Sequence, residues 1–346
     1  MTPDNSVNST LNALELWEKE KSSLWKLESS RCNVNIIRKK SSGDASKAAD
    51  IAEWFIEEKV VGLLGIAGPE SSSSAISAGE VTYNDETPMI VTTDSHPNVF
   101  TMRPRSKTQA SVLAELGAYL YDSKTASILF QDDLAYSVDF ASDFKDHWER
   151  IHGSGSVLSY VSFNTQNVNA IDYVEQSSDI TISNADILFM PILASQIPDI
   201  ANAVRDAGFE NPILGGDEWG SVEALQKCGE ACKDTFFTPL FVEDMPEAQR
   251  FVQKYIESFG VPPDDKAALA YDAMNVFEVA LKDYGKWQGD VFKNRGGLQD
   301  ALANVKNYKG SAGELTFGNT RSSECVNIAR VNAAFYPSYM FRFCPN

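Results

Sequence analysis

The sequence predicts an α/β protein built from two doubly wound lobes, each formed around a parallel sheet. Helix-like and strand-like segments alternate along the chain, and the alternation passes through two rounds. Most strand-like segments are short apolar runs, as expected of strands that are buried on both faces. The length of 346 residues allows about two domains at roughly 150 residues each.

The first round occupies the first third of the chain. Residues 44–58 place Ala48, Ala52 and Phe55 at helical spacing, which predicts an amphipathic helix. Residues 60–66 are an apolar run of the length of a buried strand. The predicted helices are 11–22, 44–58 and 71–84, and the predicted strands are 33–38, 60–66 and 88–93.

The second round repeats the pattern, and the last third is rich in helix. Gly260 and Gly285 follow long helical patterns and predict where those helices end. The second-round helices are 107–121, 137–151 and 198–207, with strands 126–130, 157–163, 185–190 and 212–214. The last third has helices 246–259, 265–284 and 297–305, with strands 313–317, 326–331 and 338–343.

Charge and hydropathy exclude two classes of partner. The chain has 30 Lys and Arg against 48 Asp and Glu, a formal net charge of −18. Nucleic-acid binding needs clustered basic residues, and anionic membrane surfaces attract basic segments, so neither partner is expected. The longest apolar stretch, 60–68, is too short for a spanning helix, which needs about 20 residues. We expect no nucleic-acid partner and no direct membrane insertion.

Catalytic motifs are missing from the sequence. It contains no Gly-x-Ser-x-Gly elbow, no His-Glu-x-x-His pair and no P-loop. The three histidines, His96, His147 and His152, are scattered. Gly62 and the glycines after it have the wrong spacing for a dinucleotide loop. We therefore expect no enzymatic activity, no cofactor and no metal site.

The five cysteines leave more than one interpretation open. Cys228 with Cys232, and Cys325 with Cys344, can form two disulfides, or all can be free buried thiols. A metal site is disfavoured because no histidine lies near either pair. Disulfides would indicate an oxidising compartment. Cys32 would then be left over as a small buried apolar residue.

Polar residues cluster where predicted strands end, which is where open α/β sheets bind ligands. Hydroxyls and helix N-terminal amides near Ser72 suit a carboxylate, and Asp217 suits an ammonium group. Tyr136 and Trp219 can supply apolar walls. Together these groups match an amino acid zwitterion. Taken separately, the hydroxyl clusters also fit a helix N-cap and a turn. The clusters are 68–74, 92–95, 131–136 and 215–219.

Several stretches in this order and spacing resemble type I periplasmic solute-binding proteins, the leucine/isoleucine/valine-binding group also called extracellular ligand-binding receptors. The resemblance runs from about Leu11 to Arg330. It rests on residues 11–16, Gly65-x-x-Gly-Pro-x-Ser-Ser72, residues 88–90, Phe100-Thr-Met-Arg103, and residues 128–136, 205–208, 214–219 and 270–273.

The resemblance implies two α/β lobes joined by three crossovers, with the ligand held in the cleft and the lobes closing on it by a hinge motion. Lobe one would be 1–106 plus 241–320, and lobe two would be 107–240 plus 321–346. Family members begin with a β-strand before the first helix. In this sequence Met1 lies where that strand should just have ended, so we expect the first strand of lobe one to be missing.

The resemblance also implies a role for each predicted site residue. Ser72 matches the hydroxyl that contacts the ligand carboxylate, Thr93 a backbone contact, and Ser95 a hydroxyl that meets both ends of an amino acid. Tyr136 matches the aromatic residue that covers the ligand, and Asp217 the acidic residue that accepts the α-ammonium.

The side-chain pocket departs from the family pattern. Branched-chain members have an aromatic residue near the position of Leu193, and here Trp219 is the candidate substitute wall. Side-chain specificity is therefore not implied.

The function implied is an extracytoplasmic binding protein that captures an amino acid, or a related carboxylate or amide. It would deliver this ligand to the permease of an ABC importer. The alternative is a sensory domain of a membrane receptor with the same fold. A third hypothesis is an α/β enzyme such as a dehydrogenase. The location would be periplasmic or extracellular. Residues 1–6 have no basic or apolar region, so no signal peptide is expected in this chain.

Overall fold

The computed structural model describes residues 5–21, 35–65, 72–92, 99–165, 173–317 and 321–344. The chain forms two compact units. Unit 1 consists of Met1–Pro104 and Glu243–Glu324, and unit 2 consists of Arg105–Val242 and Cys325–Asn346. The chain therefore passes between the units at three places.

The elements of unit 1 are as follows. The first stretch contains α1 (Asn5–Lys21), α2 (Ala45–Glu57), β1 (Leu63–Gly65), α3 (Ser72–Asn84), β2 (Met89–Val91) and β3 (Phe100–Pro104). The second stretch, numbered in chain order after the elements of unit 2, contains α9 (Gln249–Phe259), α10 (Asp265–Tyr284), α11 (Val291–Ala303), β9 (Tyr308–Gly310), β10 (Gly313–Leu315) and β11 (Ser322–Ser323).

The described part of the unit 1 sheet is parallel, with strand order β1-β2-β3-β11. The carboxyl ends of β1 and β2 therefore lie at the same edge. Thr82, in the last turn of α3, donates to the sulfur of Met89 at the start of β2 at 3.6 Å. This contact places the C-terminal end of α3 beside the amino end of β2, so the N-terminus of α3 points toward the carboxyl edge.

Polar side chains hold α1 against the second stretch of unit 1. Trp17 is 1% exposed, and its indole N–H donates to the side-chain oxygen of Asn275 at 3.0 Å. The hydroxyl of Ser9 donates to the carboxylate of Asp264 at 2.7 Å. Asp264 also caps α10, because its carboxylate accepts from the backbone N–H of Ala267 at 2.8 Å.

One sequence prediction in unit 1 is wrong. Residues 33–38 are predicted as a strand, but residues 35–38 belong to no strand, and residues 33 and 34 lie outside the described residues. Ile36 is 38% exposed and Ile37 is 42% exposed. High β-propensity means that a residue fits a half-buried, paired surface, and none of the described strands pairs with this segment.

The elements of unit 2 are as follows. The first stretch contains α4 (Ser106–Leu120), β4 (Ala126–Gln131), α5 (Ala135–His152), β5 (Val157–Phe163), α6 (Val174–Ser183), β6 (Ile187–Met190), α7 (Ile197–Asp206), β7 (Ile213–Gly215), α8 (Val222–Cys228) and β8 (Phe236–Phe237). The second stretch contains β12 (Val326–Val331) and β13 (Pro337–Phe343).

The described unit 2 sheet has strand order β13-β12-β8-β7-β6-β4-β5. The five strands from β8 to β5 are parallel, and β12 is antiparallel to both of its neighbours. Every residue of β4 and β6 is buried, as the apolar runs predict. Phe140 and Phe144 of α5 pack on Phe189 of β6, with ring centroids 5.2 and 4.2 Å apart. The parallel arrangement puts the carboxyl ends of β4, β6 and β7 at one edge.

Both predicted disulfides are present among the described residues. Cys228 joins Cys232, and Cys325 joins Cys344, where it links the start of β12 to the end of β13. Cys32 lies outside the described residues. No helix in the described part of the chain is long and apolar enough to cross a membrane.

Candidate functional site

The candidate site of unit 2 lies at the carboxyl edge of its sheet. Three connections meet there: the β4–α5 turn, the β6–α7 loop, and the turn that follows β7. We call the polar and apolar groups that they bring together the strand-end cluster. Its members are Gln131, Tyr136, Leu193, Gln196, Asp217 and Glu218.

The central contact of the strand-end cluster joins Tyr136 to Asp217. The Tyr136 hydroxyl donates to one carboxylate oxygen of Asp217 at 2.8 Å. Asp217 is 8% exposed and opens a short 3-10 helix, Asp217–Gly220. Tyr136 lies in the first turn of α5, and its ring meets the ring of Phe140 edge-to-face at 5.6 Å. A nearly buried carboxylate, oriented by a phenol, suits a ligand that carries a positive charge.

Two glycines allow this close arrangement. A Cβ atom on Gly216 would lie 2.6 Å from the Tyr136 hydroxyl oxygen and 2.8 Å from the ring of Phe140. A Cβ on Gly215 would lie 2.3 Å from the ring of Trp219. The backbone that leads into Asp217 is therefore packed among three aromatic side chains, which leaves room only for glycine at these positions.

Trp219 is placed behind the cluster. Its side chain is 0% exposed, and its indole N–H donates to the carbonyl of Met190 at 2.9 Å. This bond ties the turn after β7 to the end of β6. The predicted role of Trp219 as a wall against the ligand stays a prediction, and its described contacts are those of a buried support for the turn that carries Asp217.

Leu193 lies half-buried in the β6–α7 loop. Its backbone N–H donates to the side-chain oxygen of Gln196 at 3.3 Å. The next backbone N–H, of Ala194, donates to the carboxylate of Glu218 at 3.4 Å. Glu218, Gln131 and Gln196 were not predicted as site residues. Gln131 and Glu218 do lie in the polar clusters 131–136 and 215–219 that the sequence places at strand ends, whereas Gln196 lies in none of the predicted clusters.

The candidate site of unit 1 is described only in part. Ser72 is the first residue of α3, whose N-terminus points toward the carboxyl edge of the sheet. At that edge the N–H of Thr92 donates to the carbonyl of Gly65 at 3.3 Å. The predicted contacts Thr93 and Ser95, and the side chain of Ser72, lie outside the described part of the chain. What the described residues offer here is a helix N-terminus, which favours negative charge.

The histidines lie away from the strand-end cluster. His147 and His152 are in the last two turns of α5, whereas Tyr136 is in its first turn. Burial lowers the pKa of His152, whose ring packs against that of Trp148. His96 lies outside the described residues. Among the residues that the structure describes, no group of three or more His, Cys, Asp or Glu side chains could hold a metal ion.

Comparison with known proteins identifies the fold and the family. The family model described as "Periplasmic binding protein" matches residues 30–335. No curated protein sequence matches the chain.

Solved structures show the same fold at low sequence identity. A leucine-binding protein from Thermotoga maritima has a TM-score of 0.78 and 19% identity, over 98% of this chain and 94% of that chain. A branched-chain amino acid substrate-binding protein from Streptococcus pneumoniae, in complex with isoleucine, has a TM-score of 0.73 and 17% identity, over 97% and 93%. A solute-binding protein from R. palustris, in complex with benzoate, has a TM-score of 0.72 and 18% identity, over 98% and 92%. The chain therefore belongs to the periplasmic binding protein family, whose members bind solutes and are not enzymes, and it has the type I fold of that family.

Proposed function

We propose that this protein binds a small amino acid, or a close relative of one, and delivers it to the permease of an ABC importer. The observation that carries the proposal is the contact between Tyr136 and Asp217 in unit 2. Family membership implies an extracytoplasmic location. The solved relatives that bind leucine or isoleucine support the amino acid as the ligand class.

The proposed orientation puts the α-ammonium group of the ligand at Asp217. A charge-assisted hydrogen bond between an ammonium group and a carboxylate is about twice as strong as a neutral one. The Tyr136 hydroxyl donates to Asp217 and so restricts the orientations that the carboxylate can take. Less reorganisation is then needed on binding, which favours affinity.

The strand-end cluster offers little to a carboxylate. The consecutive backbone N–H groups of Leu193 and Ala194 already donate to the side chains of Gln196 and Glu218. Asp217 and Glu218 also add negative charge. We therefore propose that the ligand carboxylate is bound by unit 1, at the N-terminus of α3 near Ser72, with Thr93 and Ser95 as further contacts.

A second candidate ligand class is suggested by the relative that binds benzoate. Benzoate carries no ammonium group, so it offers no cation to the Asp217 carboxylate and adds a second anion to the site. A buried carboxylate next to a second anion is costly. Asp217 therefore favours the amino acid over a plain carboxylate. Side-chain selectivity is assigned to Leu193, with Trp219 as a supporting residue.

Two further points stay predictions. Closure of the two units around the ligand is expected from the family resemblance. A sensory role in a membrane receptor is the alternative to transport, and a periplasmic or extracellular location fits either role. The presence of permease and ATPase genes beside the gene for this protein would favour transport.

Substitution of Asp217 tests the proposed orientation. We expect Asp217→Ala to weaken binding of the amino acid by about 2–5 kcal/mol, because truncation leaves the buried ammonium without its charge partner. Asp217→Asn keeps the size of the side chain and an acceptor for Tyr136, so it isolates the loss of charge. Isothermal titration calorimetry measures both, with Glu223→Gln, an exposed acidic residue of α8, as the matched control.

The orientation is wrong if Asp217→Asn and Asp217→Ala both bind the amino acid as tightly as the wild type does. It is also wrong if the two variants lose affinity equally for the amino acid and for its deaminated analogue, since only the amino acid carries the ammonium group.

A further inference from the structure

The β6–α7 loop of unit 2, residues 191–196, is held by side chains from both sides. Its backbone polar groups are bonded at Pro191, Leu193 and Ala194. Loops usually have more freedom than the strands and helices that they connect. A loop bonded at three positions is fixed with respect to the sheet, and this loop carries Leu193.

Gln196 forms hydrogen bonds with both backbone polar groups of Leu193. The side-chain oxygen of Gln196 accepts from the Leu193 N–H at 3.3 Å, and the Gln196 N–H donates to the Leu193 carbonyl at 2.9 Å. The side-chain bond matches one half of a capping box, in which the residue three positions ahead reaches back to a backbone N–H. The backbone bond is the i to i+3 bond of a β-turn. Here the first position is Leu, so the usual Ser or Thr signature is missing.

Gln131 anchors Gln196 to the sheet. The side-chain amide of Gln196 donates to the side-chain oxygen of Gln131 at 2.9 Å. Gln131 is the last residue of β4 and is 5% exposed. Its own side-chain amide donates to the hydroxyl of Thr165 at 3.3 Å, so the orientation of the amide is fixed from both ends. Amides linked in such a chain specify one geometry, because each has its partners already.

Further bonds complete the support of the loop. The Ser137 hydroxyl donates to the Pro191 carbonyl and accepts from the Gln131 N–H at 2.9 Å. On the other side, Glu218 accepts from the Ala194 N–H and lies next to Asp217 in the chain. The bonds thus form a closed circuit through three connections. Tyr136 links the start of α5 to Asp217 in the turn after β7. Glu218 links the turn after β7 to the β6–α7 loop, and Gln196 links the loop back to β4.

We propose that Gln196 and Gln131 are positioning residues that set the side-chain selectivity of the site. They hold Leu193 at a fixed place relative to the Tyr136–Asp217 contact. Because the ammonium group of the ligand is bound at Asp217, the distance from there to Leu193 determines which ligand side chain fits. The inference rests on the proposed function, since it concerns the same ligand, and it adds a role for two residues that do not themselves contact that ligand.

Gln196→Met tests the inference, because the Met side chain has nearly the same length and cannot bond to the Leu193 N–H or to Gln131. The probes are the twenty L-amino acids. The readout is the Kd of each weaker-binding amino acid divided by the Kd of the tightest-binding one. We expect this ratio to fall by about five- to tenfold, the equivalent of about one hydrogen bond. Gln226→Met, an exposed glutamine of α8 in the same unit, is the matched control.

Gln196→Glu serves as the conservative variant. It keeps an acceptor for the Leu193 N–H and loses the donor to Gln131, so the part of the selectivity that depends on the Leu193 contact should return. Thermal unfolding without ligand checks that each variant is folded.

The outcomes separate this inference from the proposed function. If the wild type binds none of the twenty amino acids, the proposed function fails, and the inference fails with it. If the wild type binds one, but Gln196→Met weakens all ligands equally or changes nothing, only the inference is overturned, because a purely structural role would leave the ratio unchanged. Loss of the ratio in Gln196→Met, with a ratio closer to that of the wild type in Gln196→Glu, supports the contact with the Leu193 N–H as the cause.

Discussion

Asp272 is a carboxylate of α10 that is buried inside unit 1, with 2% of its surface exposed. One oxygen accepts from the Ser311 N–H and the other from the Ala312 N–H, both at 2.8 Å. These bonds fasten the turn between β9 and β10 to the helix. Gly310 completes the arrangement, because a Cβ there would lie 2.4 Å from the carboxylate.

Burial raises the pKa of Asp272 from 3.8 to about 6, although the two backbone hydrogen bonds oppose the shift. The folded protein thus binds a proton more tightly than the unfolded chain does. Stability from this group is therefore greatest below pH 4 and is lost as the pH rises toward 6. A shift of this size corresponds to about 3 kcal/mol.

We expect Asp272→Asn to remove this dependence. The free energy of unfolding of the wild type, measured by urea denaturation, should fall relative to that of Asp272→Asn by about 2 kcal/mol between pH 4 and pH 7. Asp283→Asn, an exposed position of the same helix, is the control. Parallel pH profiles for the wild type and Asp272→Asn would show that Asp272 does not titrate in this range.

At the scale of single residues, the sequence predicts the contact between Tyr136 and Asp217 only as neighbours at a strand end. It does so because polar groups after parallel strands must meet at one edge. Gln196 could not be found in this way. Its partner in the turn is Leu193, which has no side-chain hydroxyl, and its other partner, Gln131, is distant in the chain. Thr93, Ser95 and the side chain of Ser72 stay predictions.

At the scale of elements, α11 contains two adjacent glycines in different surroundings. A Cβ on Gly297 would lie 1.9 Å from the ring of Tyr284, whereas a Cβ on Gly296 would have nothing within 4 Å. The hydroxyl of Tyr284 also donates to the side-chain oxygen of Asn294 at 3.2 Å, so the ring is held in place. Gly297 is therefore required by packing, and Gly296 is not.

We expect the two alanine variants to change stability in opposite directions. Gly297→Ala should lower the free energy of unfolding by about 1–3 kcal/mol, the cost of overpacking. Gly296→Ala should raise it by up to about 1 kcal/mol, because Ala has the higher helix propensity. Chemical denaturation of both variants and of the wild type measures these changes in the free energy of unfolding. Equal effects of the two substitutions would contradict the role assigned to the Tyr284 ring.

Some elements are predicted to the residue and others are not. Helix α10 and strands β5 and β12 begin and end where the sequence predicts, because their patterns are long and their ends are marked. Strand β8 has only two residues, Phe236–Phe237, and carries no periodicity. Residues 35–38, in contrast, have a sequence that favours a strand but form none. Strand pairing depends on neighbouring segments that the local sequence does not specify.

At the scale of the whole molecule, the resemblance to type I periplasmic binding proteins is confirmed by the family match over residues 30–335. Strand count alone predicts two lobes. Strands β12 and β13 join the sheet of unit 2 after a long second stretch of chain in unit 1. The resemblance predicts this return, and no local signal in the sequence does. The net charge of −18 indicates no ligand. Asp217 is the one carboxylate that we assign to the ligand.

Binding of an amino acid through its ammonium group is tested most directly by thermal unfolding of the wild-type protein with each of the twenty L-amino acids. Beside each amino acid, the deaminated carboxylic acid with the same side chain is measured, and benzoate is included. A ligand present at 100 times its Kd stabilises the protein by about 2.7 kcal/mol. We expect at least one amino acid to raise the midpoint of unfolding, while its deaminated acid and benzoate do not. Stabilisation by benzoate or a deaminated acid, with none by any amino acid, would contradict the proposed function.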